Sequence, residues 1–240
     1  MDWSRAKTIL IISFACLNAL LAYQLYVTWT DRNEDNVVST RTVEELNQLL
    51  AAHQIHLEDT LPMDLQKMAY VQVRVERDDT SWHSLSPAVD ATSDRSRQKV
   101  EAELKKQIPS LSGYEFAILE GSRGEWRYYQ LVDQYPVYAA PLAIKHVDQQ
   151  LTAFRQIKVQ VLSKEQPNVV ISAHAAFKTA VEEGFVPHGA TVKQVRLGYI
   201  GQLAEGDKQF LVPVWRFLVD GREPTFVNAV TGSIETEHLQ

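Results

Sequence analysis

Cysteine is nearly absent from this chain. Cys16 is the one cysteine in 240 residues, and it sits inside an apolar N-terminal run. Disulfides, zinc-thiolate sites and thiol catalysis are therefore excluded from everything after that run. A basic excess is missing too. The formal charge is −6 and the pI is near 5.7, so the footprint left by nucleic-acid binding is not there. No Gly-x-Ser-x-Gly elbow, P-loop, Gly-x-Gly-x-x-Gly fingerprint or His-Glu-x-x-His occurs. The histidines are scattered. The closest pair, His53 and His56, falls at a predicted helix end, where surface positions explain it better than a metal does. Asp78-Asp79 and Glu182-Glu183 are adjacent acids of the kind that water covers. No catalytic residue, metal ligand or cofactor is expected, although a hydrolase can assemble a site from residues too distant for spacing to reveal.

What is present begins with one long apolar run. No charge occurs between Lys7 and Asp31. A helix of roughly 23 residues reaches roughly 34 Å, enough for the hydrocarbon layer. Arg5 and Lys7 precede it, while Asp31, Glu34 and Asp35 follow, so the N-terminus is expected in the cytoplasm and the rest outside. Trp3, Tyr23, Tyr26 and Trp29 stand near its ends, as interfacial aromatics do. Ser13-Phe14-Ala15-Cys16 is a poor processing site: it lies mid-run, lacks the Leu-like residue a lipoprotein box carries, and is followed by Leu17. A permanent anchor is the expectation. Within it Ala15, Asn18, Ala22 and Leu25 share a helical face. Asn18 needs a hydrogen-bond partner in lipid, on a neighbouring helix or on its own backbone.

Hydrophobic residues at 45% and charged residues at 22% support a globular core after the anchor. The expected layout is residues 1–7 cytoplasmic, 8–30 transmembrane, 31–41 a stalk, and 42–240 an exported domain with sub-blocks 42–165 and 168–240. A capping box at Thr42 predicts a helix over Val43–His53. Tyr70–Glu76 alternates as a strand, and Asp78–Arg95 reads as a long exposed loop. A second helix is predicted over Asp94–Gln107. Strands follow over Tyr114–Glu120, Glu125–Asp133, Val137–Val147 and Ala153–Leu162, the first two joined at Gly121-Ser122-Arg123-Gly124. A third helix starts at the N-cap Ser172 and stops at Gly184. Val192–Leu203, Gln209–Val219 and Pro224–Val230 close the chain with a short last strand. Gly198 and Gly201 suggest a bulge in the first of these. Helix followed by meander occurs twice, which argues α+β with antiparallel sheets and a duplicated unit. Trp126 and Tyr128 alternate with Arg127 and Tyr129. One set is expected in the core, and the other on a sheet face open to a protein partner.

The opening Met1-Asp2-Trp3-Ser4-Arg5-Ala6-Lys7-Thr8-Ile9, running into the span, resembles the N-terminus of the YycI family. Val212-Pro213-Val214-Trp215-Arg216-Phe217, then Asp220-Gly221 and Asn228-Ala229-Val230-Thr231-Gly232, is similar to the end of PepSY-like domains and of the related YycH proteins. The resemblance implies an accessory protein in the cell membrane that associates with the YycG (WalK) sensor histidine kinase through transmembrane helices. It would restrain that kinase together with a YycH-like partner, and the resemblance carries over no catalytic residues. Two other readings stand beside it: a PepSY-type binding module that inhibits a protease or holds a small ligand, and an exported enzyme.

Overall fold

The computed structural model describes residues 7, 10–24, 40–64, 66–92, 96–117, 124–203 and 208–235. Residues 10–24 are helical (α1) and exposed on every side, apolar residues such as Leu10, Phe14 and Leu17 included. Among the described residues no helix is long and apolar enough to cross a membrane. Residues 8, 9 and 25–30 of the predicted span, and 31–39 of the predicted stalk, lie outside them.

The rest is α+β. In order come α2 (Thr40–His53), β1 (His56–Leu57), β2 (Lys67–Met68), β3 (Val71–Asp90), α3 (Arg97–Gln107), a 3-10 turn (Pro109–Gly113), β4 (Tyr114–Phe116), β5 (Glu125–Val132), β6 (Tyr135–Val147) and β7 (Gln150–Lys164). Then follow β8 (Asn168–Val169), α4 (Ala173–Glu182), β9 (Thr191–Ile200), β10 (Lys208–Val219), β11 (Thr225–Asn228) and β12 (Ile234–Glu235). One sheet runs β1-β9-β10-β3-β7-β6-β5-β4, with β11 beside β10 and β12 beside β11, while β2 and β8 pair separately. The path curls back on itself, because Val137 of β6 bridges Tyr199 of β9. β6 permits this by leaving the ladder. Its register against β5 jumps from Tyr129↔Pro141 to Gln130↔Val137. Gln130 fills the resulting gap: its Nε2 donates to the Val159 carbonyl at 2.8 Å and its Oε1 accepts from the Val159 N–H at 2.9 Å.

The main core lies inside the curl. Ser172 caps α4, its hydroxyl accepting from the Ala175 N–H at 3.2 Å. Ala173, Ala176, Phe177, Ala180 and Val181 recur at helical spacing and are all buried against Val71, Val73, Leu211, Trp215 and Phe217. Small alanines let the helix lie close to the sheet. Gly184 at φ +78° supplies the left-handed residue that ends the helix. α2 adds Leu46, Leu49 and Leu50 to the same cluster. A second cluster joins Val100 and Leu104 of α3 to Leu85, Val89, Tyr128, Leu142, Ile144 and Leu151.

Several expectations are corrected. The exposed loop predicted over Asp78–Arg95 is mostly strand, since β3 runs to Asp90 alongside β7. Register irregularities, as between Asp79 and His83 and between Ser84 and Val89, reset the two-residue alternation and hide it from inspection. Gln107 secures the irregular stretch, accepting from the Ser86 N–H and donating to the Pro87 carbonyl, both at 2.8 Å. α2 begins at Thr40, so Thr42 lies within the helix rather than capping it; no glycine or proline stands before it to stop an earlier start. The sheet is not purely antiparallel, because β1 and β6 both pair with β9 in parallel. Gly198 marks no bulge: it pairs regularly with Val214. The turn predicted at residues 121–124 falls outside the described residues up to Gly124.

Two hairpins turn on the same dipeptide. Asp133-Gln134 joins β5 to β6 and Asp148-Gln149 joins β6 to β7, with φ of 50°, 71°, 49° and 63°. This left-handed pair is the turn whose twist matches its strands, and glycine is the usual second residue. Gln149→Gly is expected to stabilise the protein by about 0.5–1 kcal/mol, less strain being offset in part by a freer unfolded chain. Urea denaturation with an unchanged slope would show it; a loss of stability would mean that the glutamine side chain contributes more than its backbone costs.

Candidate functional site

The curl brings β4 and β5 across the face of β9 and β10, and charged residues meet in that seam. The Arg196 guanidinium holds the Glu115 carboxylate through two parallel hydrogen bonds. Both side chains are about a third exposed, at 36% and 34%. Solvent screening limits such a pair to ~1 kcal/mol, and its fixed fork geometry contributes mostly to register. Arg216 is buried beside it. Its Nη1 donates to the Gln194 Oε1 at 3.1 Å, and its guanidinium lies 5.1 Å from the Tyr138 ring centre and 5.9 Å from that of Tyr129. Aromatic faces are suitable neighbours for a desolvated guanidinium. Burial pushes the Tyr138 hydroxyl well above the ordinary tyrosine range; Arg196 opposes this and Glu115 adds to it. That hydroxyl donates to the Arg196 carbonyl at 3.4 Å.

On its other side Arg196 lines an open cleft of about 270 Å³. One wall is formed by Pro62 and Gln66. Asp59, just before Pro62, is tied to β9 by accepting from the Val195 N–H at 3.1 Å. The Tyr135 hydroxyl fixes Gln66, donating to its Oε1 at 3.1 Å. The other wall is the Asp133-Gln134 turn, where the Lys164 ammonium holds the Asp133 carboxylate. Val195, Leu197 and Trp215 form its nearly closed apolar floor, Trp215 being 1% exposed, and the Trp215 indole N–H is committed to the Ile171 carbonyl at 2.9 Å.

The aromatics singled out on β5 do not leave one face open. Tyr128 packs in the α3 cluster, and Tyr129 packs on the opposite face with Tyr138, Val214 and Phe226. A sheet buried on both sides defeats the rule that one alternate set must face out. Trp126 is half-buried at the rim, edge-on to Phe116 at 5.6 Å. Burial, then the Glu101 carboxylate, pushes the Tyr128 hydroxyl upward, with Arg97 opposing. Of the helical set, Ala15, Asn18 and Ala22 are exposed on α1, while Leu25 lies outside the described residues. Glu115, Arg196, Gln66 and Gln134 went unmarked in the sequence, being spread over separate strands and loops, and Arg216 was marked only as part of its resemblance motif. An arginine within each of two apolar strands, Arg196 and Arg216, was the available signal.

Among the described residues no group of three or more His, Cys, Asp or Glu could hold a metal ion. His174 on α4 is a buried histidine. It is 4% exposed, and burial lowers its pKa from the ordinary 6.5. The unfolded chain then takes up a proton that the folded chain refuses. Stability contributed by the neutral form is full above pH 6.5 and falls below it, by at most about 1.4 kcal/mol per pH unit, until the folded form protonates as well. His174→Leu should flatten the fall in stability between pH 6.5 and 5 relative to the parent. Parallel slopes in urea titrations would count against it.

The fold defines the class first: an α+β domain in which a helix packs against one curled sheet, preceded by an apolar helix. A model of the YycI protein family matches residues 83–230. The chain belongs to the YycI family, a family of regulatory accessory proteins of two-component kinases. Among solved structures, an uncharacterized protein from Eubacterium rectale ATCC 33656 is similar at a TM-score of 0.41 and 10% identity, over 60% of this chain and 56% of that one. The chain thus spans just over half the length of that relative. The Bacillus megaterium YpeB C-terminal domain is similar at a TM-score of 0.38 and 12% identity, over 84% of this chain and 97% of that one. No curated protein matches.

Proposed function

We propose that this chain is a membrane-anchored regulator that associates with a sensor histidine kinase of the YycG (WalK) type and restrains it, acting with a YycH-like partner. Membership of the YycI family carries the reading. Support also comes from α1, whose apolar side chains are exposed all round, as suits a helix surrounded by lipid. Positive charge before the span and acidic charge after it put the N-terminus in the cytoplasm and residues 42–240 outside the cell membrane. The mechanism is association without chemistry. The anchor docks beside the kinase helices and holds the inactive arrangement only in so far as it binds that arrangement better than the active one. Asn18, flanked by Ala15 and Ala22, offers the hydrogen-bonding group of that contact.

The test is detergent co-purification from native membranes of the full-length chain beside a version beginning at Asp31. Recovery of the kinase by the full-length form alone supports the anchor as the docking element; equal recovery by the truncated form would leave it a mere tether. Asn18→Leu is expected to lower kinase recovery about fivefold, in line with a lost interhelical hydrogen bond of ~1 kcal/mol. Unchanged recovery would retire the role of Asn18.

A further inference from the structure

The anchor contact proposed above uses none of the residues that line the cleft beside β9. Its charged groups are already matched, Asp133 by Lys164 and Arg196 by Glu115. A charged ligand would have to displace one of these partners. What the cleft offers instead is carboxamide. Gln66 spends its Oε1 on the Tyr135 hydroxyl, which orients its amino group, and Gln134 is carried at the rim on a turn with a fixed backbone. Among the described residues neither amino group has a hydrogen-bond partner. Gln134 presents a donor and an acceptor side by side, the complement of a peptide group, and Gln66 adds a second donor. Leu197 and Trp215 behind them are apolar. The volume, about 270 Å³, is close to the lower limit of about 300 Å³ for small-ligand sites. It has room for one or two residues.

We propose that this cleft binds a short uncharged peptide segment, the Gln66 and Gln134 carboxamides reading its main chain and an aliphatic side chain covering the floor at Leu197, above the buried Trp215. The inference rests on the cleft alone. No kinase enters its test, so its failure leaves the regulatory reading where it stands.

The probe is the capped dipeptide N-acetyl-leucyl-alaninamide, titrated into the full-length protein in detergent. The readout is the indole N–H resonance of Trp215, identified with Trp215→Phe. A saturable shift is expected. Gln134→Gly removes the carboxamide while relieving the left-handed backbone, so the protein stays folded, and binding should weaken about fivefold, the effect of one neutral hydrogen bond. Gln149→Gly makes the same change in the sister hairpin and should leave binding unaltered. Capped peptides with aspartate or lysine in place of leucine should bind more weakly. The proposal is overturned by the absence of saturation, by equal binding to Gln134→Gly, by equal losses in both glycine variants, or by charged peptides that bind as well as the parent.

Discussion

Phe177→Ala is expected to destabilise the protein by about 3–5 kcal/mol. Phe177 sits at the centre of the buried face of α4, fully enclosed, with its ring centre 5.7 Å from that of Phe217 on β10. Truncation removes most of a large apolar side chain from the middle of a curled sheet. The curl limits collapse: the enclosing strands are tied to one another around their path, and the helix is capped at Ser172. Cavities that cannot close are the costly ones. For a domain of this size each kcal/mol is worth roughly 2–4 °C, so a fall in melting temperature of roughly 10 °C is the expected signature. Phe185→Ala is the comparator. It lies just beyond the same helix but is 38% exposed, and its loss should cost under about 1 kcal/mol. A Phe177 effect no larger than that of Phe185 would mean that α4 is not the element around which the sheet is organised. Since α2 packs on the same cluster, the Phe177 variant should also loosen α2. Faster amide exchange in α2 than in α3 would show it.

The parts legible in the sequence are those in which one local rule decides. α4 could be read from Ser172 to Gly184 because cap, spacing and terminator agree within a dozen or so residues. β10 and β11 were legible as strands joined by a tight turn at Asp220-Gly221. The closing Asn228-Ala229-Val230-Thr231-Gly232 motif has a local reason: the Asn228 Oδ1 accepts from the N–H groups of Val230 and Thr231 at 2.9 and 3.0 Å, and its Nδ2 donates to Glu235 at 2.8 Å.

The rest depends on partners distant in the chain. The polar second half of β3 is a strand because β7 runs beside it and because Leu85 and Val89 meet α3. Neither fact is visible in the run Asp78–Asp90. Tyr128 and Tyr129 are both interior because the curl supplies a second covered face, which alternation along one strand cannot report. The cleft is harder still. Its walls come from four stretches, and its glutamines belong to no motif.

Gly198→Ala tests the curl itself. A Cβ on Gly198 would stand 2.6 Å from the Pro136 carbonyl oxygen and 2.6 Å from Cε2 of Tyr138. Both are closer than any real contact, and one is backbone. β6 must then move away from β9, at the place where Val137 and Tyr199 close the sheet. Overpacking of this kind costs typically 1–3 kcal/mol and occasionally more; with a carbonyl that cannot turn aside, ~3 kcal/mol is the expectation. Displacing Tyr138 also lifts its ring from Arg216 and from Phe226, whose ring centre is 5.3 Å away. The damage therefore reaches the charged seam. Gly113→Ala is the control, since nothing lies within 4 Å of its added Cβ and its stability should hardly change. Shortening the ring separates the two contacts. In a double-mutant cycle, Tyr138→Leu should recover the part of the Gly198→Ala loss that comes from the ring and leave the part due to the Pro136 carbonyl. Full recovery would locate the whole strain in Tyr138, whereas no recovery would place it in the backbone that brings β6 onto β9.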